Sequence, residues 1–340
     1  MWLTYVAGQA IAAAQGAPVS VATVGDLMLN GLAPTPNAFQ SLRLYLAMPD
    51  VTFGNLETPP TKAGKPTTAK SSRDVAAKRQ YVLRADPAWI PLLDGASFDV
   101  LSLANNHAMD YGAEGLLDTI AGVSRAGMRV VGAGGNLEEA SRPVVLDANG
   151  VKVVFLAFLA FRGEGALAAC GPASATKAGV NALHGGGNGI TDEVRSKLRA
   201  AISRARRMAN IVLVSYHWGL ERHRTPTSYQ VALAKATIDA GADGVIGHHP
   251  HVLQPYAIYR GKPILYSLGN FTASNHAGPL GETLVFEMRY RDGTLTSLRI
   301  TPARIRGSFP NRLIGKDAQA GLTRIGDATR DLRRRLGGGN

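Results

Sequence analysis

The chain has 340 residues, 45% of them apolar and 18% charged, which suits one large globular α/β domain and excludes a disordered or fibrous protein. Its net charge of +12 favours acidic partners such as an anionic polymer, nucleic acid or an anionic membrane surface, although an Arg-rich surface bias gives the same number. The single cysteine, Cys170, excludes an internal disulfide and a metal site built of several thiolates.

Residues 1–18 carry no charge and are rich in Ala, Val and Gly. They read as the end of a secretory signal that lacks its basic start. That points to the cell envelope, periplasmic or extracellular, and leaves the cytoplasm open. The segment is too rich in small residues to read as a membrane span.

From there one pattern recurs: a short apolar run ends in a polar turn containing Gly or Asn. Residues 19–24 lead to Gly25-Asp26, and 51–53 lead to Gly54-Asn55-Leu56-Glu57. Residues 98–103 lead to Ala104-Asn105-Asn106-His107, and 211–216 lead to His217-Trp218-Gly219. Residues 245–246 lead to Gly247-His248-His249-Pro250-His251, and 264–268 lead to Gly269-Asn270-Phe271. Such Val-, Ile- and Leu-rich runs predict buried strands. Between them, residues 191–208 place Val194, Leu198, Ile202 and Ala205 on one helical face, with Thr191 or Asp192 as cap. Residues 115–126 and 229–240 predict further helices. The alternation implies an α/β domain with a largely parallel sheet, whose ligands gather beyond the carboxyl ends of the strands.

Three regions depart from the pattern. Residues 58–72, rich in Pro, Thr, Lys and Gly, predict a long surface loop. Residues 162–189, rich in Gly and Ala, predict a loop able to cover a site. Asp292-Gly293, between two strand-like runs, predicts a hairpin. The simplest organisation is one domain over 19–308 and a basic C-terminal tail over 309–340.

Five of the eight histidines lie at three predicted strand ends: His107, His217, and His248, His249 and His251 in one turn. Neutral imidazole is a common metal ligand, and a lone surface histidine does not account for such gathering. Pro250 between His249 and His251 favours an extended bend that lets both reach one site. Asp26 and Glu57 add carboxylates, and mixed N/O ligation suits Mn, Fe, Zn or Co. Asn105-Asn106 before His107 reads either as a turn or as a neutral oxygen donor. No phosphate-binding P-loop and no Gly-x-Ser-x-Gly elbow is present. Gly132-Ala133-Gly134-Gly135, after a predicted strand, could approach a phosphate, but a Gly-rich turn alone is a weak signal.

The six turns, together with Asp110, Gly112, Glu221 and the run His251-Val252-Leu253-Gln254, resemble in order and spacing the CapA (PgsA) family. That family is associated with poly-γ-glutamate capsule synthesis or export and is related in fold to calcineurin-like metallophosphatases. The resemblance spans roughly residues 19–275. It implies a four-layer α/β/β/α sandwich of metallophosphatase type with a divalent metal site, in which Asp26, Glu57, Asn106, His217, His249 and His251 would be ligands. His107 would be the acid, oriented by Asp110. Asn55, Asn105, Glu221, His248 and Asn270 would face substrate. The wider metallophosphatase pattern opens with Asp-x-His and later supplies an Asp. Here Met28 stands at the third position, and Asn55 and Glu57 are the later candidates, so one metal or two with an altered shell both stay open.

The leading expectation is metal-assisted hydrolysis or transfer on an anionic envelope polymer such as poly-γ-glutamate, alongside a membrane synthase complex. A polyanion-binding partner of a capsule synthase without turnover is the second reading, and a general phosphoesterase is the third. Nucleic acid is disfavoured as a partner.

Overall fold

The computed structural model describes residues 16–78, 80–161, 167–184 and 189–336. The signal-peptide reading of residues 1–18 therefore lies almost wholly outside the described residues, as do parts of the 162–189 loop and the Gly337-Gly338-Gly339 end.

Two sheets face each other. The first runs, from edge to edge, β16 (Phe309–Arg312), β15 (Thr294–Arg306), β14 (Glu282–Arg291), β1 (Val19–Leu27), β2 (Val51–Asn55), β3 (Val100–Ser102) and β4 (Arg129–Val131), with β13 (Asn270–Thr272) also paired to β1. The second runs β11 (Tyr256–Tyr259), β12 (Lys262–Leu265), β10 (Gly244–His248), β9 (Ile211–Trp218), β7 (Val151–Ala160) and β6 (Val144–Ala148). A two-stranded ribbon joins β5 (Ala133–Gly134) to β8 (Gly179–Val180). Within the sheets the strands that carry the polar turns are parallel: β1, β2, β3 and β4 in one, and β7, β9, β10 and β12 in the other. Antiparallel strands finish one edge of the first sheet and both edges of the second, so each sheet is mixed rather than purely parallel.

Strand β7 shows why the sequence reads as an unbroken apolar run. Val153, Phe155 and Ala157 pack between the sheets, while Val154, Leu156 and Phe158 face the helices Asp192–Arg206 and Ser228–Asp239. Alternate side chains of a strand point to opposite faces, and both faces here are covered. Phe53 of the first sheet stacks on Phe155 of the second, with ring centroids 5.2 Å apart. The outer face of the first sheet is covered by a third cluster that includes Trp89, Leu93, Leu116 and Val123, from the helices Trp89–Gly95 and Gly112–Arg125. The order helix, sheet, sheet, helix is the four-layer α/β/β/α sandwich.

The predicted helices form with small boundary shifts. Thr191 caps the helix Asp192–Arg206 by accepting from the Val194 N–H, and Thr227 with Gln230 closes a capping box on Ser228–Asp239. The hairpin also forms, with Asp292 at φ +50° and Gly293 at φ +71° between β14 and β15.

Three regions differ from expectation. Residues 58–72 are not simply a surface loop: Thr58, Thr61, Ala63 and Lys70 are buried. Residues 309–340 include β16 and the 21-residue helix Gly315–Arg335. Its Leu322 and Ile325 join the inter-sheet core and Leu332 the helix-covered one; the Arg-rich composition masks that apolar stripe. Gly132 serves packing rather than a phosphate, since a Cβ there would sit 2.5 Å from the Ala104 Cβ and 2.9 Å from that of Ala157.

Candidate metal centre

The parallel strands deliver their last residues to one place. Asp26 ends β1 beside Asn55 of β2 and Asn270 of β13, and His217 of β9 lies in register with His248 of β10. Close backbone approach makes this convergence work. At Gly25 a Cβ would lie 2.0 Å from the Gly269 carbonyl oxygen, so only glycine fits before Asp26.

Asp26 is fully buried. Its Oδ1 accepts from Asn55 Nδ2 at 2.9 Å and lies 3.1 Å from His248 Nδ1; its Oδ2 accepts from the His249 N–H at 3.3 Å and lies 3.2 Å from His251 Nδ1. Those imidazoles outweigh its burial and hold its carboxyl well below the usual carboxylate range. Glu57 is equally buried, and there burial dominates, pushing its carboxyl well above the usual range, with the Asp26 charge adding to the effect. Its Oε2 accepts from Asn55 Nδ2 at 3.3 Å, while its Oε1 has no hydrogen-bond partner.

The donor atoms face that Oε1. His217 Nε2 lies 3.5 Å from it and His251 Nε2 3.6 Å from it. His217 Nε2 also lies 2.7 Å from Asn106 Oδ1 and 3.1 Å from His249 Nδ1. Two imidazole nitrogens turned to each other at that range can share at most one hydrogen. Ligands held about 2.0–2.2 Å from one ion stand roughly 3.0–3.5 Å apart, the spacing seen here. Two overlapping groups, Asp26 with Glu57 and His217, and Glu57 with His249 and His251, bring their ligand atoms within 4.8 Å of one another. An orphaned buried carboxylate oxygen ringed by imidazole and amide donors fits a divalent cation.

The electrostatics match. Burial and neighbouring imidazoles push His217 well below its ordinary value and His249 down to about 3, so both are neutral donors. His251 is the exception: Glu57 and Asp26 overcome its burial and raise it to about 10. Among protein groups it supplies the positive charge that the two carboxylates call for. The turn that presents these rings is strained. His249 has φ +96° and His251 φ +58°, both left-handed, so Pro250 sits between two unfavourable residues rather than in a simple extended bend. Such conformations cost about 1–3 kcal/mol each and concentrate at functional sites.

The remaining expected residues take distinct places. Asn55 is 1% exposed and braces Asp26, Glu57 and His217, the last at 3.4 Å. Asn105, also buried, donates to Asn55 Oδ1 at 3.2 Å and accepts from the His107 N–H at 3.1 Å. Asn270 Oδ1 is 3.0 Å from His251 Nδ1. His248 is 1% exposed, with Nδ1 on Asp26 and Nε2 lacking a partner. All four touch side chains of the candidate donor set or of its neighbours. Glu221 is exposed and reaches the cluster only through its charge, which raises Glu57 and His251. The imidazole neighbours of Asp26 come from the 248–251 turn.

A second cluster adjoins the first. His107 Nδ1 lies 2.7 Å from Asp110 Oδ2, and Asp110 also accepts from the Leu83 N–H at 2.7 Å and pairs with Lys70. Lys70 Nζ lies 3.1 Å from His107 Nδ1 and donates to the Tyr81 carbonyl at 2.9 Å. With Nδ1–H given to Asp110, the Nε2 of His107 is the nitrogen left for other work. Burial and the Lys70 charge pull His107 below its ordinary value against the Asp110 hydrogen bond. Sequence reasoning missed Lys70. It sits among Pro, Thr and Gly in a stretch of surface composition, and its partner Asp110 is 40 residues away.

A four-layer sandwich with a His, Asp, Glu and Asn donor set at its strand ends defines a fold of the metallophosphatase type. A crystal structure described as a novel phosphatase of Mycoplasma pneumoniae shares that fold, with a TM-score of 0.51 over 91% of this chain and 97% of that one at 13% identity. The bacterial capsule synthesis protein PGA_cap family matches residues 20–275, and the chain belongs to it. Relatives include the capsule biosynthesis protein CapA of Bacillus anthracis, 32% identical over 86% of this chain and 69% of that protein. The PGA biosynthesis protein CapA of Bacillus subtilis is 30% identical over 92% and 78% respectively. A probable polyglutamine synthesis accessory protein of Mycobacterium tuberculosis is 31% identical over 75% and 66%.

Proposed function

We propose that the chain is a metal-dependent hydrolase or transferase acting on an anionic polymer of the cell envelope, of the poly-γ-glutamate class. The observation that carries this reading is the buried, unpartnered Glu57 Oε1 facing His217 and His251 beside the neutral His249. Asp26, Glu57, Asn106, His217, His249 and His251 would hold the ion, with Mn, Fe or Zn best suited to that mixed set. When bound, such an ion polarises a phosphoryl or acyl oxygen and lowers the pKa of a water to about 7.

The protein's own groups do the rest. Asn55, His248 and Asn270 fix the carboxylate and imidazole ligands, as supporting hydrogen bonds do in metal sites. Asp110 accepts from His107 Nδ1–H and fixes the ring; once Nε2 has taken a proton from solvent, the imidazolium passes that proton to the leaving-group oxygen and returns to the Nδ1–H form. The names of the Bacillus relatives support the polymer, and the net charge of +12 suits a polyanion. Capsule relatives also support a place at the envelope beside a membrane synthase, although no helix among the described residues is long and apolar enough to cross a membrane.

The test is elemental analysis of the purified chain, followed by assays on phosphoesters and γ-glutamyl amides with and without added metal. Metal uptake with turnover supports the hydrolase. Salt-sensitive polymer binding with metal uptake but no turnover would replace it with a polymer-handling role; fold kinship alone does not decide between them.

A further inference from the structure

Beside the donor set, the ends of β7 and β9 leave a recess of about 260 Å³. Ala160 and Phe161 come from the end of β7, Leu220 follows β9, and Thr227 and Tyr229 lie at the start of the helix Ser228–Asp239. His249 is the wall shared with the candidate metal centre. The Phe161 ring lies 4.7 Å from the His249 ring and 6.0 Å from that of His217. Leu220, at the lip, is 50% exposed although it is a large apolar side chain. Among the described residues that line the recess, none is Lys, Arg, Asp or Glu.

We propose that this recess is a subsite for an uncharged apolar group of aromatic-ring size, carried by the substrate next to the group held at the donor set. The proposal rests on the reading of that donor set as a metal centre. Along the described walls of this recess a charged repeat unit of a polyanion would meet apolar surface and no Lys or Arg to pair with. An apolar ring gains contact with Phe161, Tyr229 and Leu220 and displaces water from surface that binds it poorly. Apolar walls beside a few convergent polar groups are the usual make-up of a small-molecule site. The substrate class is therefore amphipathic: an aryl or branched-alkyl phospho- or acyl compound, its anionic head at the donor set and its neutral flank in the recess. For a polymer-processing protein, that flank belongs to the group at the end of the chain rather than to its charged interior.

The test is calorimetric titration of the full chain, loaded with Mn²⁺, with phenylphosphonate and methylphosphonate, two probes that share one anionic head. Phenylphosphonate is expected to bind tighter by about tenfold or more, the effect of filling an apolar pocket. Leu220→Ser and Ala160→Leu should each bring that ratio close to unity while leaving methylphosphonate affinity unchanged. Should Ala160→Leu fail to fold, Leu220→Ser carries the test, because Leu220 is half exposed. Equal affinity of the two probes for the wild type, with Mn²⁺ retained, overturns the subsite alone, as does a ratio that survives the substitutions. A chain that takes up no Mn²⁺ and binds neither probe overturns the metal reading and the subsite with it.

Discussion

Two buried polar clusters meet at the strand ends, and they balance charge in opposite ways. Around Asp110 the account closes from within: one carboxylate, one ammonium from Lys70 and one imidazole from His107, with the Leu83 N–H completing the set. Around Asp26 and Glu57 it does not close. Two carboxylates face four imidazoles and the amides of Asn55 and Asn106, yet Glu57 Oε1 and His248 Nε2 find no hydrogen-bond partner. Desolvated carboxylates demand either protons or a cation, and here burial already drives Glu57 toward its neutral form. A satisfied cluster is a scaffold that holds one side chain still. An unsatisfied one at a sheet edge is where a ligand is wanted.

That contrast breaks first at Asp26. Asp26→Asn removes the carboxylate on which Asn55, His248, His249 and His251 converge. Metal content, read by elemental analysis after dialysis, is expected to fall to background, a larger effect than the about 10–100-fold seen when only supporting groups are changed. Retention of a full equivalent of metal would mean that the ion sits elsewhere. The next effect belongs to the other cluster. His107→Ala should lower the turnover of any substrate found by about 10²–10⁴-fold while leaving metal content unchanged. Equal rates in variant and wild type would strip His107 of its role as acid.

Lys70 tests whether the second cluster really closes on itself. Lys70→Met leaves Asp110 buried without its cation, and breaking such a pair costs about 3–5 kcal/mol. Urea denaturation should show that loss, and adding Asp110→Asn to the same chain should recover part of it. A neutral outcome for Lys70→Met would mean that Asp110 finds compensation from Leu83 and His107 alone.

The two clusters also differ in how far the sequence reveals them. The first was legible because each donor follows a short apolar run, and strands buried on both faces announce themselves by composition. Parallel pairing then forces their carboxyl ends to one edge, so Asp26, Glu57, His217, His249 and His251 could be gathered before any coordinates. Apolar periodicity alone predicts one largely parallel sheet, since it does not report pairing partners; the division into two sheets was legible only through the family resemblance. Lys70 was hidden because local composition averages a whole loop, while its burial depends on one carboxylate beyond β3. The hydrogen bonds of Asn55, Asn105, His248 and Asn270 to the donor set and its neighbours were not legible. A polar residue at a strand end looks the same in sequence whether it meets substrate or braces a ligand. The helix Gly315–Arg335 was obscured by its arginines, although Leu322, Ile325 and Leu332 mark its buried side.

Chelation separates the clusters by pH. For the metal-stripped chain, Glu57 has a raised carboxyl and His251 is raised to about 10. Groups raised on folding contribute stability at low pH and lose it as pH climbs through their folded values. Asp26, held low, acts in the opposite sense, but only in the acid range below an ordinary carboxylate. His217, His249 and His107, all held low, add stability as pH rises, but only up through the ordinary imidazole range. Between about pH 7.5 and about 9 the stripped chain should therefore weaken as pH rises, while metal binding strengthens because its ligands deprotonate. The thermal shift on adding metal should grow with pH, reaching the equivalent of about 2.7 kcal/mol at a hundredfold excess over Kd. A shift that is flat or shrinks with pH would contradict the ligand set.

The smallest effect should come from Glu221, the one expected site residue that stands in solvent. It makes its influence felt on Glu57 and His251 through charge alone, so it lends the cluster negative potential without touching it. Glu221→Gln should weaken metal affinity, because it removes a charge that attracts a cation. Water and salt screen that charge, and exposed pairs of this kind are worth no more than about fivefold in an equilibrium constant. The difference between variant and wild type should fade as ionic strength rises from 0.01 M toward 1 M, where the screening length drops from about 30 Å to about 3 Å. A loss that is large or indifferent to salt would place Glu221 in direct contact with the ion, and the boundary drawn here between buried donors and solvent-facing charge would have to move.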